Sequence, residues 1–98
     1  MNSTQRRLSA AAWAMLEALS RLRKSVQKEL DFLLSISPSL KSERLEGILW
    51  EIDEFSAIIS KFLATVNEGD ETDLEGAFGR LNDHFEQLTS RAEAMLTK

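Results

Sequence analysis

Apolar residues recur at every third or fourth position along three segments of this chain. The spacing is unbroken in the second and third segments, which carry Leu45, Ile48, Ile52, Phe55, Ile59, Phe62 and Val66, and then Leu74, Phe78, Leu81, Phe85, Leu88, Ala92 and Met95. Residues three and four positions apart share one face of an α-helix, so each segment predicts a helix with a single apolar stripe. Such stripes pack against one another in coiled coils and helical bundles.

The first segment carries the same pattern over a longer distance. Its apolar stripe consists of Leu8, Ala12, Met15, Leu19, Leu22, Val26, Leu30 and Leu33. Leu16 widens this stripe on one side. The pattern predicts a first helix near residues 5–36.

Pro38 predicts the break between the first two helices. Proline disfavours the helical conformation in the residue before it and fits the first turn of a helix that follows. We expect Ser37 or Ser39 to cap the second helix by accepting a hydrogen bond from its first backbone N–H groups. This helix is predicted near residues 39–67.

A second break is predicted between Asn67 and Thr72. Asn67 or Gly69 is expected to end the second helix in the left-handed conformation that commonly closes helices. Thr72 and Glu75 have the Thr-x-x-Glu spacing of a capping box, which predicts that the third helix runs near residues 73–96.

These boundaries predict an all-α fold. Short connections between long helices force neighbours to run antiparallel, so the chain is expected to form an up-down-up three-helix bundle with coiled-coil-like heptad stripes. Single cores typically organise about 100–150 residues, so residues 1–98 are expected to form one domain. No apolar run reaches the ~20 residues of a membrane span, and Glu17 interrupts the N-terminal run that begins like a secretory signal. We therefore expect a cytoplasmic protein.

The chain has no cysteine and a single histidine, His84, which removes most catalytic and metal-binding patterns. No thiolate nucleophile and no cysteine-based metal site can form. One histidine with scattered carboxylates cannot make the paired Glu-x-x-His helices of a di-iron bundle or a His-Glu-x-x-His zinc site. We expect His84 to flank the apolar stripe in a structural role, with haem or metal ligation as the alternative. We also expect no enzymatic activity, no cofactor and no metal.

The formal net charge of −4 is distributed unevenly along the chain. Basic residues dominate residues 1–38, which hold Arg6, Arg7, Arg21, Arg23, Lys24 and Lys28 against Glu17, Glu29 and Asp31. Acidic residues dominate the remainder, so we expect the first helix to pair its charges with those of the later helices. The alternative is that the basic face of the first helix contacts the phosphates of a nucleic acid.

Trp13 and Trp50 do not fit the apolar stripes. At 100° per residue, Trp50 projects roughly 160° from the centre of its stripe and Trp13 roughly 140° from the centre of its own. Tryptophan is enriched at the energetic centres of protein interfaces, and a ring beside a glycine such as Gly47 makes a defined knob and notch. We therefore predict that Trp13, Leu16, Gly47 and Trp50 belong to a protein interface. The alternative is that the rings lie flat on the surface of the bundle.

Glycines within the predicted helices are a second anomaly. Gly47, Gly76 and Gly79 each cost roughly 1 kcal/mol relative to alanine in a helix interior. Gly76 and Gly79 project away from the third stripe. They either allow another backbone to approach or weaken the first turns of the third helix, and we favour the second interpretation.

Together these patterns predict a non-enzymatic protein–protein interaction module, such as a small helical adaptor, chaperone, immunity protein or inhibitor. We expect it to bind one protein partner or a second copy of itself, with a homodimer favoured over a monomer. Two alternatives stay open. One is a nucleic-acid-associated regulator that uses the basic face of the first helix, and the other is a structural coiled-coil segment whose stripes pair between chains.

Overall fold

A computed structural model describes residues 1–39 and 42–96. Within these residues the chain forms three α-helices, which are α1 (Ser3–Ile36), α2 (Glu43–Thr65) and α3 (Glu71–Leu96), and it contains no strand. The helices form a rod with extents of 52 × 19 × 16 Å. The predicted all-α three-helix bundle is confirmed.

Contacts between helices establish the direction of each one. Arg23 of α1 contacts Asp53 of α2, and Gln5 near the start of α1 reaches Asn67 just beyond the end of α2, so α1 and α2 run antiparallel. Thr4 donates a hydrogen bond to Glu71 at the start of α3, so α1 and α3 run parallel. The chain therefore passes up, down and up along the rod.

The predicted stripes form the core of the bundle. The most deeply buried large side chains are Leu8, Leu19, Val26, Ile52, Ile59, Val66 and Leu88. Leu22, Leu33, Phe78, Phe85 and Met95 are only half-buried and pack against this core. α1 packs extensively against both other helices, whereas α2 and α3 contact each other less. The bundle is consequently more open on its α2–α3 side.

The helix starts differ from the predicted caps. Asn2 and Gln5 form a capping box at α1, in which each side chain accepts a hydrogen bond from the backbone N–H of the other, and sequence reasoning missed it. Asp70 caps α3 by accepting a hydrogen bond of 2.9 Å from the backbone N–H of Asp73. The predicted Thr72–Glu75 box is wrong because Asp70 performs the same function two residues earlier.

The second helix was predicted to start near residue 39, and residues 40 and 41 of that prediction lie outside the described ranges. α2 begins at Glu43, so neither Ser37 nor Ser39 caps it, and Ser42 occupies the N-cap position without a side-chain hydrogen bond. Ser37 instead follows α1, where its backbone N–H donates to the carbonyl of Leu33.

The end of α2 requires no left-handed residue. No residue of the described ranges 1–39 and 42–96 has a positive φ, so the predicted left-handed closure at Asn67 or Gly69 is wrong. α2 ends at Thr65, whose carbonyl accepts a hydrogen bond from the backbone N–H of Glu68. Glycine at position 69 instead leaves space for the buried Leu74, because a Cβ atom there would lie 2.8 Å from Cδ2 of Leu74.

Candidate functional site

Trp50 lies on the outer surface of α2. Its side chain is 65% exposed, whereas Ile52, two residues further along the same helix, is 1% exposed. The difference follows from the helical period, because Ile52 belongs to the stripe that faces the core and Trp50 projects away from it. Exposure of a ring this large leaves apolar surface in contact with water.

An open groove of about 660 Å³ lies beside Trp50 on the α2–α3 side of the bundle. All three helices contribute to its walls, which include Leu33, Ile48, Trp50, Ala94 and Met95. Gly47 also lines the groove. No heavy atom from another part of the described chain lies within 4 Å of the position where a Cβ atom of Gly47 would be. The missing side chain therefore widens the groove next to the tryptophan ring.

A second apolar cavity continues along the same side of α2 and α3. Its volume is about 400 Å³, and its lining includes Phe55, Ile58, Phe62, Ala77, Leu81 and His84. Ile58 is 50% exposed, although it is a large apolar residue. The His84 ring lies against Phe55, with 4.5 Å between the ring centroids. This exposed histidine flanks the core, as the spacing indicated.

Three ion pairs connect the helices of the described chain, and two of them involve α2. Arg91 of α3 contacts Glu51 at 3.1 Å, and Arg23 of α1 donates two hydrogen bonds to the carboxylate of Asp53. The third pair joins Arg7 of α1 to Glu75 of α3. The hydrogen bond from Arg23 lowers the pKa of Asp53, and the same contact raises the pKa of Arg23. The basic first helix thus contacts acidic residues of both later helices, as the charge distribution predicted.

Unpaired carboxylates surround Trp50. Glu46 and Glu54 lie one helical turn before and after Trp50, and Glu43 lies two turns before it. All three side chains are exposed, and none takes part in an ion pair within the described residues. The outer face of α2 therefore combines a large aromatic ring with uncompensated negative charge.

Trp13 lies on a different surface. Its side chain is 59% exposed and borders a groove of about 400 Å³ between α1 and α2. Small or uncharged residues line this groove, including Ser9, Ser60, Leu63 and Ala64. The hydroxyl oxygen of Ser9 is buried and has no hydrogen-bond partner.

The four predicted interface residues therefore divide into separate locations. Gly47 and Trp50 line one groove, and Trp13 lines another. Leu16 is half-buried and packs against the core. Sequence reasoning missed Ile58, although it lies outside the predicted stripe of α2 and its exposure could have been derived from the same projection.

A basic strip occupies the outer face of α1. Arg21, Lys24 and Lys28 are exposed, and within the part of the chain that the structure describes they form no ion pair. They follow one another at intervals of three and four residues, so they share one side of the helix. Arg7 and Arg23 do not add to this strip, because acidic residues of the bundle engage them.

A search of residues 1–39 and 42–96 for groups of three or more His, Cys, Asp and Glu side chains that could hold a metal ion finds none. Within the same ranges no helix is both long and apolar enough to cross a membrane. Comparison of this chain with protein-family models, with curated proteins and with solved structures finds no match.

Proposed function

We propose that this chain is a small, non-enzymatic protein-binding module whose principal interface is the groove beside Trp50. One observation carries this proposal: a tryptophan that is 65% exposed lies on the rim of an open groove of about 660 Å³. Monomeric soluble proteins rarely expose extended apolar patches, and the larger patches commonly mark interaction sites.

Tryptophan is well suited to this position. Its ring buries a large apolar area with only two rotatable bonds, so it contributes more binding energy than most residues when a partner covers it. Gly47 supports the proposal because its missing side chain leaves room beside the ring for a group of the partner.

The charges near each tryptophan indicate which of the two surfaces is better suited to the favoured homodimer. A symmetric dimer places the same patch of both copies face to face, so a dimer centred on Trp50 would bring Glu43, Glu46 and Glu54 close to their own counterparts. Like charges across an interface oppose association. The groove beside Trp13 has few charges and suits symmetric self-association better. We therefore assign the Trp50 groove to a different protein and any homodimer contact to Trp13.

Capture from a lysate of the native source tests the proposal, with the wild type, Trp50→Ala and Trp13→Ala as matched baits. We expect the wild type and Trp13→Ala to retain a protein that Trp50→Ala loses by about tenfold or more. Circular dichroism should show that all three baits are equally folded, because surface substitutions usually change stability by less than about 0.5 kcal/mol. Equal recovery of the same proteins by all three baits would contradict the proposal.

The basic strip of α1 supports a second candidate function, which is association with nucleic acid. Three unpaired cationic side chains on one helix face can contact successive phosphates. Fluorescence anisotropy with duplex DNA at low salt tests this candidate on the wild type and on a Lys24→Gln, Lys28→Gln variant. Binding that is lost both in the variant and at moderate salt would support it, and binding that survives the variant would exclude this strip.

A further inference from the structure

We infer that the groove along α2 and α3 accepts one amphipathic helix of a partner protein, and that this helix carries arginine or lysine on the edge that faces Trp50. The inference rests on the proposed function of the Trp50 groove. It adds the shape and the charge of the ligand.

The shape follows from the arrangement of the two cavities. Both border α2 and α3, the two helices that pack least against each other, and the Arg91–Glu51 ion pair marks the boundary between them. Beyond the first turn of α2 the two cavities follow one another from Gly47 to Phe62. These 16 residues of helix span about 23 Å at a rise of 1.5 Å per residue, which is the length of roughly four helical turns. A long shallow channel between two antiparallel helices accommodates a further helix, as in a four-helix bundle.

The floor of this channel is apolar at both ends. Leu33, Ile48 and Met95 line the first cavity, and Phe55 and Ile58 line the second. Ile58 is 50% exposed without a partner, so a docked helix would remove it from water. Helices that dock in grooves present apolar residues at intervals of three and four, which matches two apolar cavities along one axis.

The charge follows from the carboxylates around Trp50. Glu46 and Glu54 lie one turn to either side of the ring and have no cationic partner within the described residues. A guanidinium or ammonium group placed over the indole face is attracted by the ring and also lies within reach of these carboxylates. Among the charged α2 residues that line the first cavity, Glu43 is unpaired within the described residues, Glu51 is paired with Arg91, and Arg44 is cationic. The preference for a cationic side chain is therefore confined to the surface around the Trp50 ring, where Glu43, Glu46 and Glu54 lie.

The α3 edge of the channel differs in charge. Arg80 lines the second cavity, and Arg91 lines the first while it contacts Glu51. Glu51 already engages Arg91, whereas Arg80 forms no ion pair within the described residues and opposes a second row of basic residues. The partner helix is therefore basic along one edge and neutral or acidic along the other, and this asymmetry fixes its orientation in the channel.

A second copy of this chain is a poorer occupant. Its cationic helix face, formed by Arg21, Lys24 and Lys28, lies on the outer side of α1 and faces away from the α2–α3 channel. A contact between two such different surfaces is head-to-tail, and it produces open chains of molecules rather than a closed dimer.

Synthetic helical peptides of about 16 residues provide the probes, since this length covers the channel. Three peptides share one leucine stripe and carry arginine, glutamine or glutamate along one edge. Fluorescence anisotropy at about 50 mM and 500 mM salt measures their affinities for the full chain, and only the arginine peptide is expected to weaken strongly as salt screens the carboxylates. We expect the arginine peptide to bind about tenfold more tightly than the glutamine peptide at low salt, and the glutamate peptide to bind most weakly.

Three variants locate the binding. Trp50→Ala should weaken the arginine peptide by about tenfold or more, while Trp13→Ala leaves it unchanged. The triple variant Glu43→Gln, Glu46→Gln, Glu54→Gln should reduce the advantage of the arginine peptide over the glutamine peptide. It should leave the glutamine peptide unaffected. Circular dichroism confirms that each variant is folded before its affinity is compared.

The outcomes separate this inference from the proposed function. Equal affinity for all three peptides, with Trp50→Ala weakening each of them, overturns the charge assignment and leaves the Trp50 interface intact. Equal losses from Trp13→Ala and Trp50→Ala overturn both. Absence of binding by every peptide overturns the helical ligand, and the capture experiment then decides the proposed function alone. Concentration-dependent sedimentation of the wild type that Lys24→Gln, Lys28→Gln abolishes would assign the channel to a second copy and overturn the inference.

Discussion

Trp13 and Trp50 are exposed to similar degrees, at 59% and 65%, yet the surfaces around them differ in width and in charge. Trp50 borders a groove of about 660 Å³ that the unpaired Glu43 also lines, and a second apolar cavity lies further along α2 and α3. Glu46 and Glu54 lie one helical turn to either side of the ring. Trp13 borders a groove of about 400 Å³ between α1 and α2, where serine and alanine side chains predominate. The two rings stand on the same rod but on different sides of it.

Because of this difference we do not treat exposure of an aromatic ring as sufficient to propose a binding site. An energetic centre of an interface needs neighbouring surface that a partner can cover and a group that determines which partner fits. In our proposal Trp50 has both, because Gly47 leaves room beside it and the unpaired Glu43, Glu46 and Glu54 favour positive charge. Trp13 has the ring and a narrow groove without a comparable charge.

The largest effect on stability is expected from a substitution in the core, because both tryptophan surfaces depend on the same core. Ile52 is 1% exposed, so Ile52→Ala should lower the free energy of unfolding by about 2–5 kcal/mol through lost burial and the cavity that remains. Glu46→Ala, on the outer face of the same helix, should change it by no more than about 0.5 kcal/mol. Urea denaturation followed by circular dichroism measures both. Equal losses of unfolding free energy from Ile52→Ala and Glu46→Ala would contradict the placement of the α2 stripe in the core.

A substitution that fills the groove should separate binding from stability. Gly47→Leu places a side chain beside Trp50, so the affinity for the captured partner should fall by about tenfold, which corresponds to about 1.4 kcal/mol. Gly76→Leu is the matched control, because no heavy atom from another part of the described chain lies within 4 Å of a Cβ atom at either glycine. Gly76 lies outside both channel cavities. Equal losses of affinity from Gly47→Leu and Gly76→Leu would contradict the assignment of partner binding to the groove.

The glycines also allow a smaller test of helix stability. Gly47→Ala, Gly76→Ala and Gly79→Ala should each raise the free energy of unfolding by about 0.5–1 kcal/mol, since each site is helical and open around the new methyl group. Gly69→Ala should instead destabilise the protein, because its Cβ atom would lie 2.8 Å from Leu74. Thermal unfolding of the four variants measures the contrast. A stabilising Gly69→Ala would show that Leu74 moves aside without cost.

The ion pair between Arg23 and Asp53 predicts the smallest effect. Its hydrogen bond lowers the pKa of Asp53 below the usual 3.8, so the stability that it contributes is present above that pH and is lost as the pH falls through the lowered pKa. The stability difference between the wild type and Asp53→Asn should therefore be constant near neutral pH and shrink below pH 3.8. Both partners are substantially exposed, so the difference should be small and weaken with salt. Urea denaturation at several pH values measures it, and a difference that grows in acid would contradict this assignment.

The stripes and the exposed tryptophans could be predicted from sequence because both depend on the helical period alone. The same projection at 100° per residue predicts that Ile52 and Ile59 are buried and that Trp50 lies on the surface. Helix ends were harder to predict, because several residues near each end can serve as caps. Asp70 rather than Thr72 caps α3, because α3 begins at Glu71 and Thr72 therefore lies inside the helix.

The grooves could not be predicted because they depend on the distances between helices. Nothing in the spacing of Leu33 and Met95 indicates that they border the same cavity as Trp50. Three similar stripes suggest equal packing among the helices, whereas α2 and α3 in fact contact each other less than either contacts α1. The asymmetry concerns contacts between helices, which the spacing of apolar residues within one helix does not describe.

Nuclear magnetic resonance on the two indole N–H groups tests the central claim most directly, because the chain contains only these two tryptophans. A Trp13→Phe variant assigns the two resonances, and the arginine-edged peptide is then titrated into the wild type. We predict that the Trp50 resonance shifts until the site is saturated while the Trp13 resonance stays in place. A Trp13 resonance that shifts as far as that of Trp50, or a Trp50 resonance that does not move while the peptide binds, would contradict the assignment of the interface to the groove beside Trp50.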